Sequence, residues 1–370
     1  MKIDSVTFPN HEIVYMRIIF RTLLVRLVSI IVTLLIVTAL LYATVMFTSA
    51  ETRATLYLPK RLPSRMTEQQ YQKLIDNIIE RYHLGDPYPV QYAYWLGNLV
   101  KGEWGYSPTQ QKDVFTALME KTPVTAELTL YSILLFIPLG LISGVIAGAK
   151  KNKIPDHAFR LTAYIATTLP SFILALLLMS FFYVDLYWFA PSRVSTSINL
   201  VINSNEFQQI TGLLTIDGLL NRRPDVTIDA FRHLAMPVFT LAIVHWATLG
   251  RVTRAEMIKE LSQEYVIAAR ARGIPEARIT WRHTLRNAIA PAMTSSLISA
   301  TSLLTGVFIV EILYQFHGVS DIAVNSMAST PDAPAALGFA IYSVVAVLLL
   351  MAILDLIQSF VDPRAREKRA

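Results

Sequence analysis

Glu264 to Pro291 reads EYVIAARARGIPEARITWRHTLRNAIAP, a dense basic insert between two apolar runs. Arg270, Arg272, Arg278, Arg282 and Arg286 stand against Glu264 and Glu276. Lys and Arg accumulate on the cytoplasmic side of membrane proteins, so the insert is expected inside and its flanks are expected to be membrane spans. Gly273 followed by Pro275 predicts two helices, since Gly favours the position just past a helix end and Pro the first turn of the next.

The rest of the chain agrees with that reading. Of 370 residues 53% are hydrophobic and 16% charged, with a mean hydropathy of +0.44, too apolar for a soluble protein of this size. The net charge of +6 would suit nucleic acid only if the basic side chains shared one soluble face. They sit at the ends of apolar runs instead, so topology explains them and no nucleic-acid partner is expected. The chain has no cysteine, which excludes disulfides, thiolate metal sites and cysteine nucleophiles.

Six charge-free runs follow one another: Leu27 to Ala50, Leu128 to Ala149, Leu161 to Val184, Leu234 to Gly250, Asn287 to Val310 and Ala333 to Leu354. With their flanks they predict spans over 27–50, 123–149, 158–185, 234–254, 287–313 and 335–361, an all-α integral membrane protein of six transmembrane helices. Arg17, Arg21 and Arg26, then Lys150, Lys151 and Lys153, then Arg251 and Arg254, and finally Arg364, Arg366, Lys368 and Arg369 mark the inner ends. The segments 1–26 and 362–370 are therefore expected in the cytoplasm, together with 255–290, while 51–122, 186–233 and 314–334 are expected outside. A cleaved signal peptide ending at Thr48-Ser49-Ala50 is the rival for the first span, but the apolar run exceeds the roughly 7 to 15 residues of such a segment. Pro170 interrupts the third span, which is tolerable where neighbouring helices or Ser and Thr side chains take up the freed backbone groups.

Within 51–122, Thr67 and Gln70 are spaced for a capping box, and the helix they start is expected to run to about His83 and stop at Gly85. Tyr71, Leu74, Ile75, Ile78, Ile79 and Tyr82 give it one apolar face. Tyr92, Tyr94, Trp95 and Trp104 follow, of a kind common at the membrane interface. This predicts a small extramembrane helical unit after the first span, a scaffold rather than a catalytic domain. Residues 191–232 are rich in Asn, Ser and Asp without strong periodicity and predict no particular fold.

A phosphate-cradling G-x-x-x-x-G-K-[ST] loop is absent, so any nucleotide hydrolysis belongs on another chain. H-E-x-x-H and G-x-S-x-G are absent too and the seven His are scattered, so no catalytic residue, metal site or cofactor is expected. Ionisable residues within spans are functional candidates by default. Glu127, Glu311 and Asp355 lie near span ends, where an interfacial anchor or a pairing with a neighbouring helix is the simpler reading. For His245, inside the fourth span, a hydrogen bond across a helix interface and a wet cavity stand equally. His245 and Asn287 are the candidates for a substrate path. A helix centred on Ala268-Ala269 and ended by Gly273 lets another backbone approach closely, which suits docking into a groove with its arginines on partner carboxylates. A solvated basic loop that only fixes topology is the other reading.

Ala268-Ala269-Arg270-Ala271-Arg272-Gly273, then His283, Leu285-Arg286-Asn287-Ala288 and Pro291, resemble the EAA loop of binding-protein-dependent ABC importer permeases of the dipeptide/oligopeptide (DppB/OppB-like) class. The resemblance spans nearly the whole chain. Leu84-Gly85-Asp86-Pro87 with Gln91-Tyr92, Gly102-Glu103-Trp104-Gly105-Tyr106-Ser107, Thr122-Pro123-Val124-Thr125-Ala126-Glu127-Leu128, Leu169-Pro170-Ser171-Phe172 and Asp362-Pro363-Arg364 all fall in the family's order. The chain departs from it at Ile267, where the general pattern has Glu, and at Phe316-His317-Gly318-Val319-Ser320, where the family usually has a Pro-Gly-Leu-Gly turn. The resemblance implies a type I ABC importer permease fold in a bacterial or archaeal inner (plasma) membrane, carrying peptides. It implies as partners a second homologous permease forming a heterodimer, two cytoplasmic ABC ATPase subunits and an external solute-binding protein. Glu264, Tyr265, Ala268, Ala269, Arg270, Arg272 and Gly273 would be the ATPase-coupling residues. An ion-coupled secondary transporter or channel, the alternative, needs ionisable residues deep in several spans, and apart from His245 they are nearly missing.

Overall fold

Where lipid offers no hydrogen bond, a backbone must satisfy itself, and this apolar chain does so almost wholly as helix. The computed structural model describes residues 11–54, 57–58, 67–327 and 332–361. Arg364, Arg366, Lys368, Arg369 and the Asp362-Pro363-Arg364 motif lie outside the described residues, as do the side chains of Arg17, Arg21, Arg26 and Asp355. In chain order come α1 (His11–Val45), α2 (Ala50–Ala54), α3 (Glu68–Arg81) and α4 (Tyr88–Val100). A short antiparallel hairpin follows, β1 (Tyr106–Ser107) with β2 (Lys112–Asp113), Tyr106 facing Asp113. Then come α5 (Val114–Ala149), α6 (Ile154–Thr168) and α7 (Ser171–Leu178), the last continued by a π-helical stretch, Met179–Asp185. Next are α8 (Thr196–Ile202), α9 (Leu214–Leu220), α10 (Pro224–Leu261) and α11 (Glu264–Ala271). The chain continues through α12 (Glu276–Arg278), a π-helical turn at Ile279–Thr284, α13 (Leu285–Leu313), α14 (Ser320–Ser326) and α15 (Ala333–Val361).

Among the described residues five helices are long and apolar enough to cross a bilayer, and there are up to six spans when α6 and α7 with its extension count as one. That pair is not the straight span expected. It bends by 100° at Leu169-Pro170, because Pro170 has no N–H to continue α6 and forces the residue before it out of helical conformation. The helices α1, α5 and α10 begin well before their apolar runs. At about 1.5 Å per residue, the 38 residues of α10 reach about 57 Å, far beyond a hydrocarbon core of roughly 30 Å.

The chain divides into two compact units, one of residues 1–57, 63–101 and 340–370, the other mainly of residues 102–339. In the first, the expected capping box forms: Gln70 N donates to Thr67 Oγ1 and Thr67 N to Gln70 Oε1. The helix expected to run to about His83 ends at Arg81, and His83 itself takes the left-handed conformation, with φ 56°. Tyr42 of α1 stacks on Trp95 of α4 with ring centroids 4.9 Å apart, and Tyr88 donates to the Ala39 carbonyl at 2.6 Å. The buried Gln91 donates to the carbonyls of Leu84 and Asp86, and Arg53 also reaches the Leu84 carbonyl. That clasp gives the Leu84-Gly85-Asp86-Pro87 and Gln91 motif a structural role.

The second unit is built on α5 and α10, which run parallel. Gly140, Gly144 and Gly148 lie one turn apart on α5 and meet Leu249, Gly250 with Thr253, and Met257 of α10. With no Cβ on one side the backbones close to contact, the small-residue packing that holds helices together where lipid is as apolar as the side chains. Phe159 of α6 sits against Gly250, and Trp246 of α10 donates to Ser143 of α5 at 3.0 Å. Toward the other end of α5 two buried carboxylates are hydrogen-bonded. Glu127 accepts from Thr215 N, Thr215 Oγ1 and Arg193 Nη2 at 2.9, 2.7 and 2.8 Å. Glu311 accepts from Thr125 Oγ1 and from Ser320 N, with Gly318 pressed against its carboxyl. Both therefore pair with neighbouring elements. Asp217 binds the backbone N–H groups of Thr211 and Gly212, and with Glu127 it folds residues 191–222 around α8 and α9 into a small apolar cluster of Val194, Phe207, Leu214, Val226 and Ala230.

Candidate coupling site

The basic insert folds as α11, a turn, and then one continuous rise from Glu276 through α13. Gln263 precedes α11 with extended backbone, and Glu264 in the first turn meets the positive end of the helix dipole. The helix ends in a Schellman motif: Gly273 N donates to Arg270 O at 2.9 Å and Ile274 N to Ala269 O at 3.2 Å. Gly273 takes φ +74°, a conformation that side chains with a Cβ rarely adopt, although the space around it is open. Ile274 closes the apolar side of the motif against Val266, Ala269, Ile279 and Leu261.

This arrangement separates the two alanines. Ala269 is buried against Ile279, while Ala268 faces out with Ile267, Arg270, Ala271 and Arg272. The arginines separate too. Arg270 makes a fork on Glu276, with Nε and Nη2 at 2.6 and 3.3 Å from the two carboxylate oxygens. That contact raises the Arg270 pKa and ties the last turn of α11 to α12. Among the described residues none pairs with Arg272, which leaves it the free cation of the face.

Tyr265 points the opposite way from the outer face at its tip. Its hydroxyl donates to Glu260 Oε2 in the last turn of α10 at 2.8 Å, with Asn287 of α13 and Thr284 before it near enough to act on its ionisation. Partial burial raises the phenol above the ordinary tyrosine value, so the proton it donates stays on it. Asn287 thus stands beside the coupling segment. His245 is elsewhere, midway along α10, with its ring 5.6 Å from Phe136 and no hydrogen bond from a described side chain.

Three contacts here escape the sequence. Asp156, fully buried at the start of α6, accepts from Arg254 Nε and Nη2 and from Asn152 N, which binds the turn after α5 to α10. Nearly a hundred residues separate that pair. The Gly140, Gly144, Gly148 ladder was missed as well, although its i, i+4, i+8 spacing is a signal that could have found it. Glu260 lies in a polar stretch that carried no signal of its own.

Long apolar helices, two of which, α10 and α13, are joined through the short helices α11 and α12, define a membrane-embedded protein. Residues 137–367 match the family described as binding-protein-dependent transport system inner membrane component, and the chain belongs to it. It is 30% identical over 291 residues to the di/tripeptide transport system permease protein DppB of Pseudomonas aeruginosa, covering 79% of this chain and 84% of that one. It is 31% identical over 290 residues to the oligopeptide transport system permease protein AppB of Bacillus subtilis, covering 78% and 84%. To the probable D,D-dipeptide transport system permease protein DdpB of Escherichia coli it is 29% identical over 301 residues, covering 79% and 84%. The chain is the permease component of a binding-protein-dependent transporter, and the type I permease fold expected of it is the fold found.

Proposed function

We propose that this permease serves an ATP-driven peptide importer of a bacterial or archaeal plasma membrane, with α11 and both termini in the cytoplasm. Relatives named for di/tripeptide, oligopeptide and D,D-dipeptide transport support the cargo. Basic side chains at the α11 end, among them Lys150, Lys151, Lys153 and Arg251, support the orientation. In this reading a second, similar permease completes the passage, an external binding protein delivers the peptide, and two cytoplasmic ATPases supply the work. The face of α11 bearing Glu264, Ile267, Ala268, Ala271 and Arg272 docks in a groove of one ATPase, with Ala269 and Gly273 holding its shape from behind.

The observation that carries the reading is the anchorage of α11. It is exposed on one side, yet its other side packs on Leu261 at the end of α10 and on Ile279 in the π-helical turn that leads into α13, so a push on it is passed toward two long helices. Packed interfaces of this kind switch between discrete arrangements, which suits alternation between inward-open and outward-open states. Glu127 and Glu311 are each engaged by hydrogen bonds from neighbouring elements, which favours this scheme over ion-coupled transport. The test is Ala268→Arg in the complete transporter, reconstituted in vesicles with membrane insertion checked. The expected result is loss of both binding-protein-stimulated ATP turnover and peptide uptake; normal values for both would refute the docking face.

A further inference from the structure

The short helix α9 turns its polar groups inward and three of its four large apolar side chains outward. Thr215, Asp217 and Gly218 are buried, Asp217 on the N–H groups of Thr211 and Gly212, and Gly218 against Thr227 of α10. Ile216, Leu219 and Leu220, spaced i, i+3 and i+4, point away and are 37%, 62% and 52% exposed. Large aliphatic side chains sharing one face, with no polar group among them, call for an apolar cover.

The depth of α9 says what that cover is. The apolar run of α5, Leu128 to Ala149, is about as long as the hydrocarbon core is thick, roughly 30 Å, so Leu128 marks its edge. Thr215 is bonded at that edge: its N–H and hydroxyl donate to Glu127, and its hydroxyl accepts from Tyr131, one turn further in, at 2.9 Å. On α10 the Thr215 carbonyl accepts from Thr227, about 10 Å outside the apolar run that starts at Leu234. Both neighbours therefore place α9 in the interfacial layer. The exposed stripe of α10, from Phe239 through Phe231 to Ile228, runs up to the same level.

We propose that α9 rests on the bilayer, with Ile216, Leu219 and Leu220 in the acyl-chain boundary of a phospholipid leaflet, so that lipid is the partner of this face. An apolar helix face at this depth sinks about 5–10 Å into that boundary. A helix of a second permease fits it less well. Helices that meet beside lipid pack through small residues, and Gly218, the small residue of α9, is turned inward on Thr227. The contact makes the segment 191–222 a foot that bears on the membrane surface, its shape kept by Glu127 and Asp217. It stands apart from α11 and does not depend on the docking reading.

The chain has no cysteine, so a nitroxide label on Leu219→Cys is the only one it carries. The complete transporter, its partner chains freed of accessible cysteine, is reconstituted in vesicles of phosphatidylethanolamine and phosphatidylglycerol. Collision of the label with oxygen, which partitions into acyl chains, is compared with its collision with a water-soluble nickel chelate. The oxygen-to-nickel ratio should be several-fold higher at Leu219 than for a label on Asn205→Cys, exposed in the polar loop after α8. Ile216→Cys, on the same face, should repeat the Leu219 ratio and takes its place if Leu219→Cys inserts poorly. A ratio equal to that at Asn205 would put the face in water, and a label shielded from both reagents would put it under protein; either result overturns the lipid contact.

Discussion

Replacing Gly144 by alanine should prise apart the two helices on which the permease is built. A Cβ at that position lands 2.6 Å from the Gly250 carbonyl oxygen and 2.6 Å from Thr253 Cβ. Ordinary contact begins near 3.4 Å, so the shortfall is roughly 0.8 Å on both sides, and a shift of that size forfeits about a quarter to a half of the attraction between facing atoms. Backbone cannot step aside as a flexible side chain can. The helices must therefore part, and the neighbouring contacts of Gly140 with Leu249 and of Gly148 with Met257 loosen with them. Overpacking of this kind costs about 1–3 kcal/mol, against a gain of up to about 1 kcal/mol from the better helix propensity of alanine. Gly306→Ala supplies the control, since the nearest atom to its added methyl is Leu241 Cδ2 at 3.5 Å. The measurement is the melting temperature of the purified protein in detergent. Gly144→Ala should melt below the wild type and Gly306→Ala at or above it; equal melting of the two variants would refute the backbone-contact argument.

Gly273→Val should fray the end of α11 at a conformational cost of about 1–2 kcal/mol, because its φ of +74° is left-handed while the surrounding space is open. Amide exchange across 264–271 should quicken, and Gly273→Asn should largely keep the wild-type rate, since Asn tolerates that conformation. Asp156→Asn leaves Arg254 in place without its carboxylate and should cost about 3 kcal/mol, the low end for a broken buried pair because the Arg254 side chain is 20% exposed. Arg254→Lys should not restore the loss, as an ammonium cannot make the two-point contact. Wild-type melting of Asp156→Asn in detergent would contradict this.

The spans were legible because a bilayer demands about 20 apolar residues in a row and few other structures do. Their ends were not. Val114, Pro224 and Glu276 begin helices in polar sequence, where hydropathy falls silent while the backbone goes on coiling. Pro170 was read as a tolerable interruption, but tolerance depends on what packs behind a break, and here the chain turns by 100°. The helix expected to stop at Gly85 ends a turn earlier, where His83 takes the left-handed position of a local hydrogen-bonded helix end. At the coupling site the helix and its glycine end were legible from local rules. What each side chain touches was not, because Ala268 and Ala269 are neighbours in sequence on different faces, and Arg270 finds Glu276 only after the turn at Gly273 is made.

The glycine ladder carries one more consequence. Because α5 lies against α10 over three successive turns, with backbone on backbone at Gly144 and Gly250, no acyl chain or water fits between them, and parting them would strip contacts that nothing in lipid replaces. The pair behaves as a double-walled strut. A passage for cargo has to open along some other seam, with this strut as the fixed frame against which the moving walls swing.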